Sequence, residues 1–170
     1  MGVPSGITSE LQYYAAAATV IFFLGIKDDI LILSASKKFI GQLIAAGIII
    51  KFGGIQISNM HGLLGIYEIP HVASIILSLF TIIVITNSFN LIDGVDGLAG
   101  SLGLLTTLVF GVYFFYAGQL TYAVMALSLA GSTIAFLIYN FSPAKIFMGD
   151  TGSLLLGLIN SILVIKFINI

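Results

Sequence analysis

Two long stretches without a charged residue constrain this chain more than any other feature. Neither Val72 to Ile92 nor the block from Gly97 to Ala144 contains a charge. A helix that crosses the hydrocarbon core needs about 20 mainly apolar residues, so the first stretch predicts one membrane span. The second is too long for one helix and predicts two, joined by a turn in Ala117 to Thr121. Charged residues make up only 8% of the chain, against about 25% in soluble domains, which indicates an integral membrane protein.

Three shorter apolar segments complete the predicted bundle: Leu11 to Ile26, Phe39 to Phe52 and Gly152 to Phe167. The last two reach spanning length if their terminal lysines extend to the interface. Between the second and third spans, Gly53 to His71 predicts a short hairpin-like or re-entrant loop. We therefore expect an all-α fold, a polytopic transmembrane helix bundle of about six spans. The whole chain, residues 1–170, would form a single integral membrane domain with that loop on the extracytoplasmic side.

Counting membrane crossings places all five aspartates on one face of the membrane. Two predicted spans separate the pair Asp28 and Asp29 from Asp93, and two more separate Asp96 from Asp150. Four of the six lysines fall on the same face, so the positive-inside rule predicts that this face is cytoplasmic. The sequence thus predicts a cluster of acids at the cytoplasmic surface.

Several carboxylates close together repel one another unless a cation lies among them. A hard divalent cation that prefers oxygen ligands, Mg²⁺ or alternatively Mn²⁺, is suited to that role. Lysines and glycine-flanked helix ends beside such a metal favour the binding of phosphates. The net charge of −1 gives no indication of a nucleic-acid partner, and the absence of Cys excludes a thiolate metal site and a Cys nucleophile.

Each acidic motif also has a purely structural interpretation. Asp28 and Asp29 are typical of a solvated helix end, and Asp93 with Asp96 could cap a glycine-rich turn. Asp150 could simply cap the last helix, together with the Thr and Ser that follow it. The motifs indicate a site through their combination rather than one by one.

Other classes of membrane protein are less consistent with the sequence. A proton or ion transporter would place acids inside the apolar runs, and the two longest runs contain none. His61 and His71 fall on the opposite face from the acids, which favours structural roles for both. A non-catalytic membrane scaffold stays open as an alternative.

Three motifs together indicate a family. GIKDDILILSASKKFIGQ, NSFNLIDGVDGLAG and YNFSPAKIFMGDTGSLLLG occur in this order at matching membrane positions. They closely resemble the polyprenyl-phosphate N-acetylhexosamine-1-phosphate transferases of the MraY/WecA type (glycosyltransferase family 4). The resemblance implies a bacterial inner-membrane enzyme that transfers N-acetylhexosamine 1-phosphate from a UDP-sugar to undecaprenyl phosphate, giving a lipid-diphosphate sugar and UMP.

The resemblance also suggests which sugar is transferred and for what purpose. Ile92 favours the N-acetylglucosamine branch, which initiates cell-envelope polysaccharides such as lipopolysaccharide. The alternative donor is the UDP-N-acetylmuramoyl-pentapeptide of peptidoglycan synthesis.

Carried over by motif, the resemblance implies roles for individual residues. The expected catalytic residues are Asp28, Asp29 and Asp93, of which Asp28 and Asp29 would bind or deprotonate the lipid phosphate. Lys38 would neutralise phosphate charge. The residues that would hold Mg²⁺ and the UDP diphosphate are Asn90, Asp93 and Asp150. Phe147 would stack on uracil, with Asn140 and Asp96 near the nucleoside.

Members of this family are usually longer and carry a His-rich motif in a later loop. We therefore expect residues 1–170 to be the catalytic middle of such a transferase, without its N-terminal spans and C-terminal His motif. The activity of this segment alone, and a homodimer, stay open.

Overall fold

The computed structural model describes residues 5–170, which form a bundle of α-helices with no strand in that range. The six helices are α1 (Ser5–Leu31), α2 (Ala35–Lys51), α3 (His71–Ile92), α4 (Leu98–Tyr116), α5 (Leu120–Asn140) and α6 (Gly149–Ile168). The predicted all-α membrane fold is confirmed, because α3 to α6 are four helices long and apolar enough to cross a membrane. α1 and α2 are helical as expected but are not among those four, so their crossing stays a prediction.

Three helices, α1, α2 and α6, extend beyond the apolar segments that predicted them, and α2 begins at Ala35 rather than at Phe39. α1 continues past Ile26 to Leu31 and so includes both of its aspartates, while α6 begins at Gly149 rather than at Gly152. Apolar composition identifies the part of a helix that faces hydrocarbon, whereas the backbone hydrogen bonds continue into the polar interface. As a result, acids predicted just outside the helices lie within their terminal turns.

α6 is the central helix of the bundle. It packs against α1, α3 and α4, and 56% of its most apolar window is buried, compared with 28% for α3 and 33% for α4. Leu154, Leu158 and Ile162 lie along its length in the main hydrophobic core. Because α6 contacts three other helices, a residue in its first turn is within reach of several helix ends.

The connection between α2 and α3 is a small hairpin. Asn59 and Glu68 form an antiparallel bridge, and a short 3-10 turn spans Leu63–Gly65 at the tip. Asn169, just after α6, donates a hydrogen bond from its amide to the Gln56 carbonyl at 2.8 Å. The hairpin predicted from sequence is therefore present, and it is fastened to the C-terminal end of α6.

Candidate active site

All the predicted site residues lie at one end of the bundle, opposite the hairpin. This end is formed by the C-terminal ends of α1, α3 and α5 and the N-terminal ends of α2, α4 and α6. The residues gathered there are Asp28, Asp29, Lys38, Asn90, Asp93, Asp96, Asn140, Phe147 and Asp150. The structure thus has the five aspartates at one end, as the count of crossings predicts.

Lys38, in the first turn of α2, joins two of these acids. Its Nζ forms an ion pair with Asp28 and donates to Asp150 Oδ2 at 3.2 Å. Asp28 is only 4% exposed, and its Oδ1 also accepts a hydrogen bond from the Leu33 backbone N–H at 2.5 Å. A buried carboxylate needs such partners because burial disfavours its charge. Asp28 is therefore not the solvated helix end that its sequence also allows.

Asp29 faces a different neighbour from Asp28. Its Oδ1 accepts from the Asp150 backbone N–H at 2.8 Å. Its Oδ2 accepts from the Thr151 backbone N–H at 3.1 Å and from the Thr151 hydroxyl at 2.5 Å. The two adjacent acids of α1 thus contact two different helices, α2 and α6.

Asn90, in the last turn of α3, completes the contacts around Asp150. Its Nδ2 donates to Asp150 Oδ1 and, at 2.9 Å, to the Ser153 hydroxyl. Together with Lys38, this places side chains from α2 and α3 against the first turn of α6. The Asp150 carboxylate therefore contacts side chains from both of these helices.

Asp93 follows directly after α3 and carries a perturbed carboxyl group. Burial raises the pKa of Asp93 to about 6; the Gly149 backbone N–H opposes this rise, and the negative charges of Asp150 and Asp29 add to it. The three carboxylates are thus close enough to affect one another. A cation at this position would relieve both the desolvation and the repulsion.

A second group of side chains holds the loop between α5 and α6. Asn140 is 4% exposed; its Oδ1 accepts from the Gly97 N–H at 3.0 Å, and its Nδ2 donates to the Ile146 carbonyl at 2.8 Å. Asp96 accepts from the Ala144 N–H at 3.1 Å. The oxygen and the nitrogen of the Asn140 side-chain amide are thus both bonded to backbone groups. In this structure Asn140 therefore holds the loop between α5 and α6 in position. A direct contact of Asn140 with the nucleoside stays a prediction.

Phe147 lies in that loop, two residues before α6, and 76% of its surface is exposed. It borders a largely apolar cavity of about 310 Å³ between α5 and α6, together with Met148, Gly152 and Phe136. An exposed ring beside an acidic cluster is suited to stacking on a planar base. Its position is consistent with the predicted role in binding uracil, which no contact in the structure tests.

Another cavity, of about 500 Å³, opens beside Lys38 between α2 and α3. Gln42 and Asn87 line it, and their amides pair reciprocally, with Asn87 Nδ2 donating at 2.7 Å and Gln42 Nε2 donating at 3.2 Å. This pair satisfies the polar groups of Gln42, which is buried. The cavity gives the cluster an approach along the side of the bundle that polar side chains line only in part.

The donor set at this end of the bundle fits a hard divalent cation. Asp93, Asp150 and the Asn90 amide provide the oxygen atoms that Mg²⁺ prefers. Within residues 5–170, no three Asp, Glu, His or Cys side chains lie close enough to hold a metal ion by themselves. Mg²⁺ sites that also bind phosphate commonly use one or two carboxylates with water and substrate oxygens, so these residues suit a site of that type.

Residue-by-residue reading of the sequence did not identify the contacts between α1 and α6. Gly25 lies one helical turn before Asp29 and faces Thr151, while Thr151 and Ser153 bond to side chains of α1 and α3. The available signals were the spacing of Gly25 and Asp29, which puts both on one face of α1, and the hydroxyls that follow Asp150.

The histidines lie away from this cluster, as predicted. His61 is in the hairpin, where its Nε2 contacts the Ile168 carbonyl at 2.7 Å, and His71 begins α3 at the same end of the bundle. Both therefore lie at the end of the bundle opposite the five aspartates.

Comparison with known proteins finds a match to the family model described as glycosyl transferase family 4 over residues 11–168. A probable undecaprenyl-phosphate N-acetylglucosaminyl 1-phosphate transferase of Bacillus subtilis is 41% identical over 167 residues, which cover 94% of this chain and 45% of the relative. A decaprenyl-phosphate N-acetylglucosaminephosphotransferase of Mycobacterium tuberculosis is 39% identical, with 84% of this chain and 38% of the relative covered.

A phospho-N-acetylmuramoyl-pentapeptide-transferase of Listeria monocytogenes is 34% identical over 170 residues, covering 90% of this chain and 51% of the relative. The chain therefore spans about half the length, or less, of these curated relatives.

Proposed function

The chain belongs to glycosyl transferase family 4, and on that basis we propose that it carries the phosphoryl-transfer site of a polyprenyl-phosphate N-acetylglucosamine-1-phosphate transferase. The donor would be UDP-N-acetylglucosamine and the acceptor undecaprenyl phosphate. The observation that carries the proposal is the position of Lys38 between Asp28 and Asp150, with Asn90 also on Asp150.

The proposed reaction is a displacement at phosphorus. An oxygen of the lipid phosphate bonds to the sugar-linked phosphorus of the nucleotide sugar, while the bond from that phosphorus to the bridging oxygen breaks. UMP leaves with the bridging oxygen, and the product is a lipid-diphosphate sugar. Such a transfer depends mainly on positioning and on neutralising phosphate charge.

The residues of the cluster supply both the positioning and the neutralisation of phosphate charge. Lys38 would neutralise charge on the incoming phosphates, and Asp28, which keeps that lysine in place, would accept a proton from the lipid phosphate. Asn90, Asp93 and Asp150 would hold Mg²⁺, which when bound neutralises the diphosphate and orients it. Phe147 would orient the uracil ring from the neighbouring loop.

The distribution of the lysines supports a cytoplasmic orientation of the site. Lys27, Lys37, Lys38 and Lys145 lie towards the acidic end of the bundle, and Lys51 and Lys166 lie towards the other. The excess of lysines at the acidic end favours a cytoplasmic position for that end by the positive-inside rule. The cavity between α2 and α3 would let the membrane-anchored acceptor reach Lys38 from the side.

The test is sugar-phosphate transfer by the full-length protein in membranes. Radiolabelled UDP-N-acetylglucosamine and undecaprenyl phosphate are supplied with Mg²⁺ or with excess EDTA, and lipid-linked label and UMP are measured. We expect both products with Mg²⁺, loss of both with EDTA, and recovery when Mg²⁺ is restored. UDP-N-acetylmuramoyl-pentapeptide is assayed in parallel, and preferred use of that donor would replace the proposed sugar with the muramoyl one.

Carboxylate variants distinguish an enzyme from a scaffold. Asp150→Asn should abolish transfer, because it removes charge at the point where side chains of three other helices meet α6. Glu68→Gln makes the same chemical change in the hairpin at the opposite end and should leave transfer unchanged. Equal activity of both variants and the unaltered protein would exclude Asp150 from the reaction.

A further inference from the structure

We propose that Asp29 is a positioning residue that clamps the start of α6 to α1 and thereby places Asp150, rather than a group that binds the lipid phosphate. The proposal rests on the proposed transferase function for its catalytic consequence. It assigns different tasks to the two adjacent acids of the chain, Asp28 and Asp29.

The carboxylate of Asp29 is already occupied by donors from α6. Three hydrogen bonds reach its two oxygens: from the Asp150 N–H at 2.8 Å, the Thr151 N–H at 3.1 Å and the Thr151 hydroxyl at 2.5 Å. An acceptor with this many short bonds offers little to an incoming phosphate, whose negative charge it would also repel. Asp28, by contrast, is paired with Lys38, the cation that a phosphate would approach.

The bonds to Asp29 replace a cap that α6 does not supply for itself. The first N–H groups of a helix have no partner within the helix, and a side chain at the preceding residue normally accepts from one of them. Met148 occupies that position and makes no side-chain cap. Asp29 accepts from two of these N–H groups across the helix interface, and its negative charge suits the positive end of the α6 dipole.

Two glycines bring the helices close enough for these bonds. A Cβ on Gly25, one turn before Asp29, would lie 2.7 Å from the Thr151 backbone nitrogen, well inside ordinary contact. Gly149 has a φ of 67°, which favours glycine, and a Cβ there would meet the Asp29 carboxylate at 3.0 Å. Gly25 therefore lets α1 approach the α6 backbone, and Gly149 leaves room for the Asp29 carboxylate.

The clamp determines where the Asp150 side chain lies. The backbone N–H of Asp150 is held by Asp29, while its carboxylate meets Lys38 and Asn90 from two other helices. Releasing the N–H lets the first turn of α6 shift relative to both partners. A misplacement of about 1 Å in a catalytic group can cost about 100-fold in rate.

The test uses variants of Thr151, because Thr151 contributes the shortest bond to Asp29 and has no predicted contact with substrate. In the full-length protein, Thr151→Val keeps the shape and removes the hydroxyl donor. We expect kcat to fall about 10-fold or more, with the KM for undecaprenyl phosphate nearly unchanged. Thr151→Ser restores the donor and should recover most of the kcat. Thr19→Val removes a hydroxyl that bonds only within α1 and serves as the control.

Asp29→Asn distinguishes the clamp from a lipid-binding role. For the clamp, the hydroxyl bond that Thr151→Val removes is one of the three bonds that Asp29→Asn weakens, so the double variant should lose less kcat and less Tm in detergent than the sum of the two single losses. If Asp29 instead binds the lipid phosphate, Asp29→Asn raises the KM for undecaprenyl phosphate, Thr151→Val is close to the unaltered protein, and the two changes add. That result would overturn the proposal.

The Tm measurement separates this inference from the proposed function. Non-additive Tm changes in a protein that forms no lipid-linked sugar would support the clamp and refute the transferase assignment. Additive Tm changes in an active enzyme would refute the clamp and leave the transferase assignment standing.

Discussion

Replacing Gly157 with Ala should separate α3 from α6 and weaken the candidate site seven residues away. A Cβ on Gly157 would lie 2.7 Å from the Thr86 Cα, whereas ordinary contact begins at 3.4 Å, so the helices must move apart by about 0.7 Å. Asn90 lies one turn after Thr86 on the same face of α3. The same shift would lengthen its 2.9 Å bond to Ser153 to about 3.6 Å, which is no longer a hydrogen bond.

The free-energy cost of the clash in Gly157→Ala can be measured by comparison with two other helical glycines that have no close neighbour. Overpacking of this kind costs about 1–3 kcal/mol, while Gly to Ala in a helix gains about 1 kcal/mol from propensity alone. Gly47 in α2 and Gly131 in α5 have open space within 4 Å of the position that an added methyl group would take, so Gly47→Ala and Gly131→Ala report the propensity gain without the clash. The difference in free energy of unfolding between Gly157→Ala and these controls should therefore be about 1–3 kcal/mol.

Thermal unfolding in detergent and the transfer assay together give the readout. Relative to the controls, Gly157→Ala should unfold several degrees lower and lose about 10-fold or more in transfer rate. A Gly157→Ala protein as stable and as active as Gly131→Ala would show that the tight contact between α3 and α6 does not support the site.

Further predictions concern buried polar groups at the acidic end. Lys38→Met leaves the Asp28 carboxylate buried without its cation and should destabilise the protein by up to about 3–5 kcal/mol, measured as a fall in Tm; adding Asp28→Asn should restore most of the Tm but not the transfer activity. Unchanged Tm in Lys38→Met would mean that Asp28 is not held as a buried ion. Asn140→Ala leaves the Gly97 N–H without its acceptor and frees the loop that carries Phe147, so Tm should fall and the KM for the nucleotide sugar should rise. A lower Tm with an unchanged KM would limit Asn140 to a role in stability.

The sequence predicted the helices well where an apolar run is long. α3, α4 and α5 correspond closely to the charge-free stretches, since about 20 apolar residues without a charge have few alternatives to a membrane helix. The ends of α1 and α6 were predicted too short, because a carboxylate at the interface ends an apolar run without ending a helix. The hairpin was predicted from its glycines and alternating residues, and the bridge between Asn59 and Glu68 confirms it.

The candidate site was predictable in its location but not in its contacts. Counting crossings was enough to put the five aspartates at one end, because each short loop reverses the direction of the chain. The division of labour between Asp28 and Asp29 was not predictable from their adjacency. Neighbouring residues on a helix point about 100° apart, so the two carboxylates face α2 and α6 respectively.

By itself, the sequence determined the membrane class, the helices and the end of the bundle at which the acids gather. These properties depend on hydrophobic transfer and on chain direction, both of which can be followed along the chain. Only the tertiary structure decided that Asp29 caps α6, where its partner Asp150 is 121 residues away in sequence. Only the tertiary structure decided, too, that Lys38 joins Asp28, 10 residues away, to Asp150, 112 residues away. Hydrogen bonds and ion pairs depend on distances of a few tenths of an ångström, and those distances are set by how closely the glycines let whole helices approach.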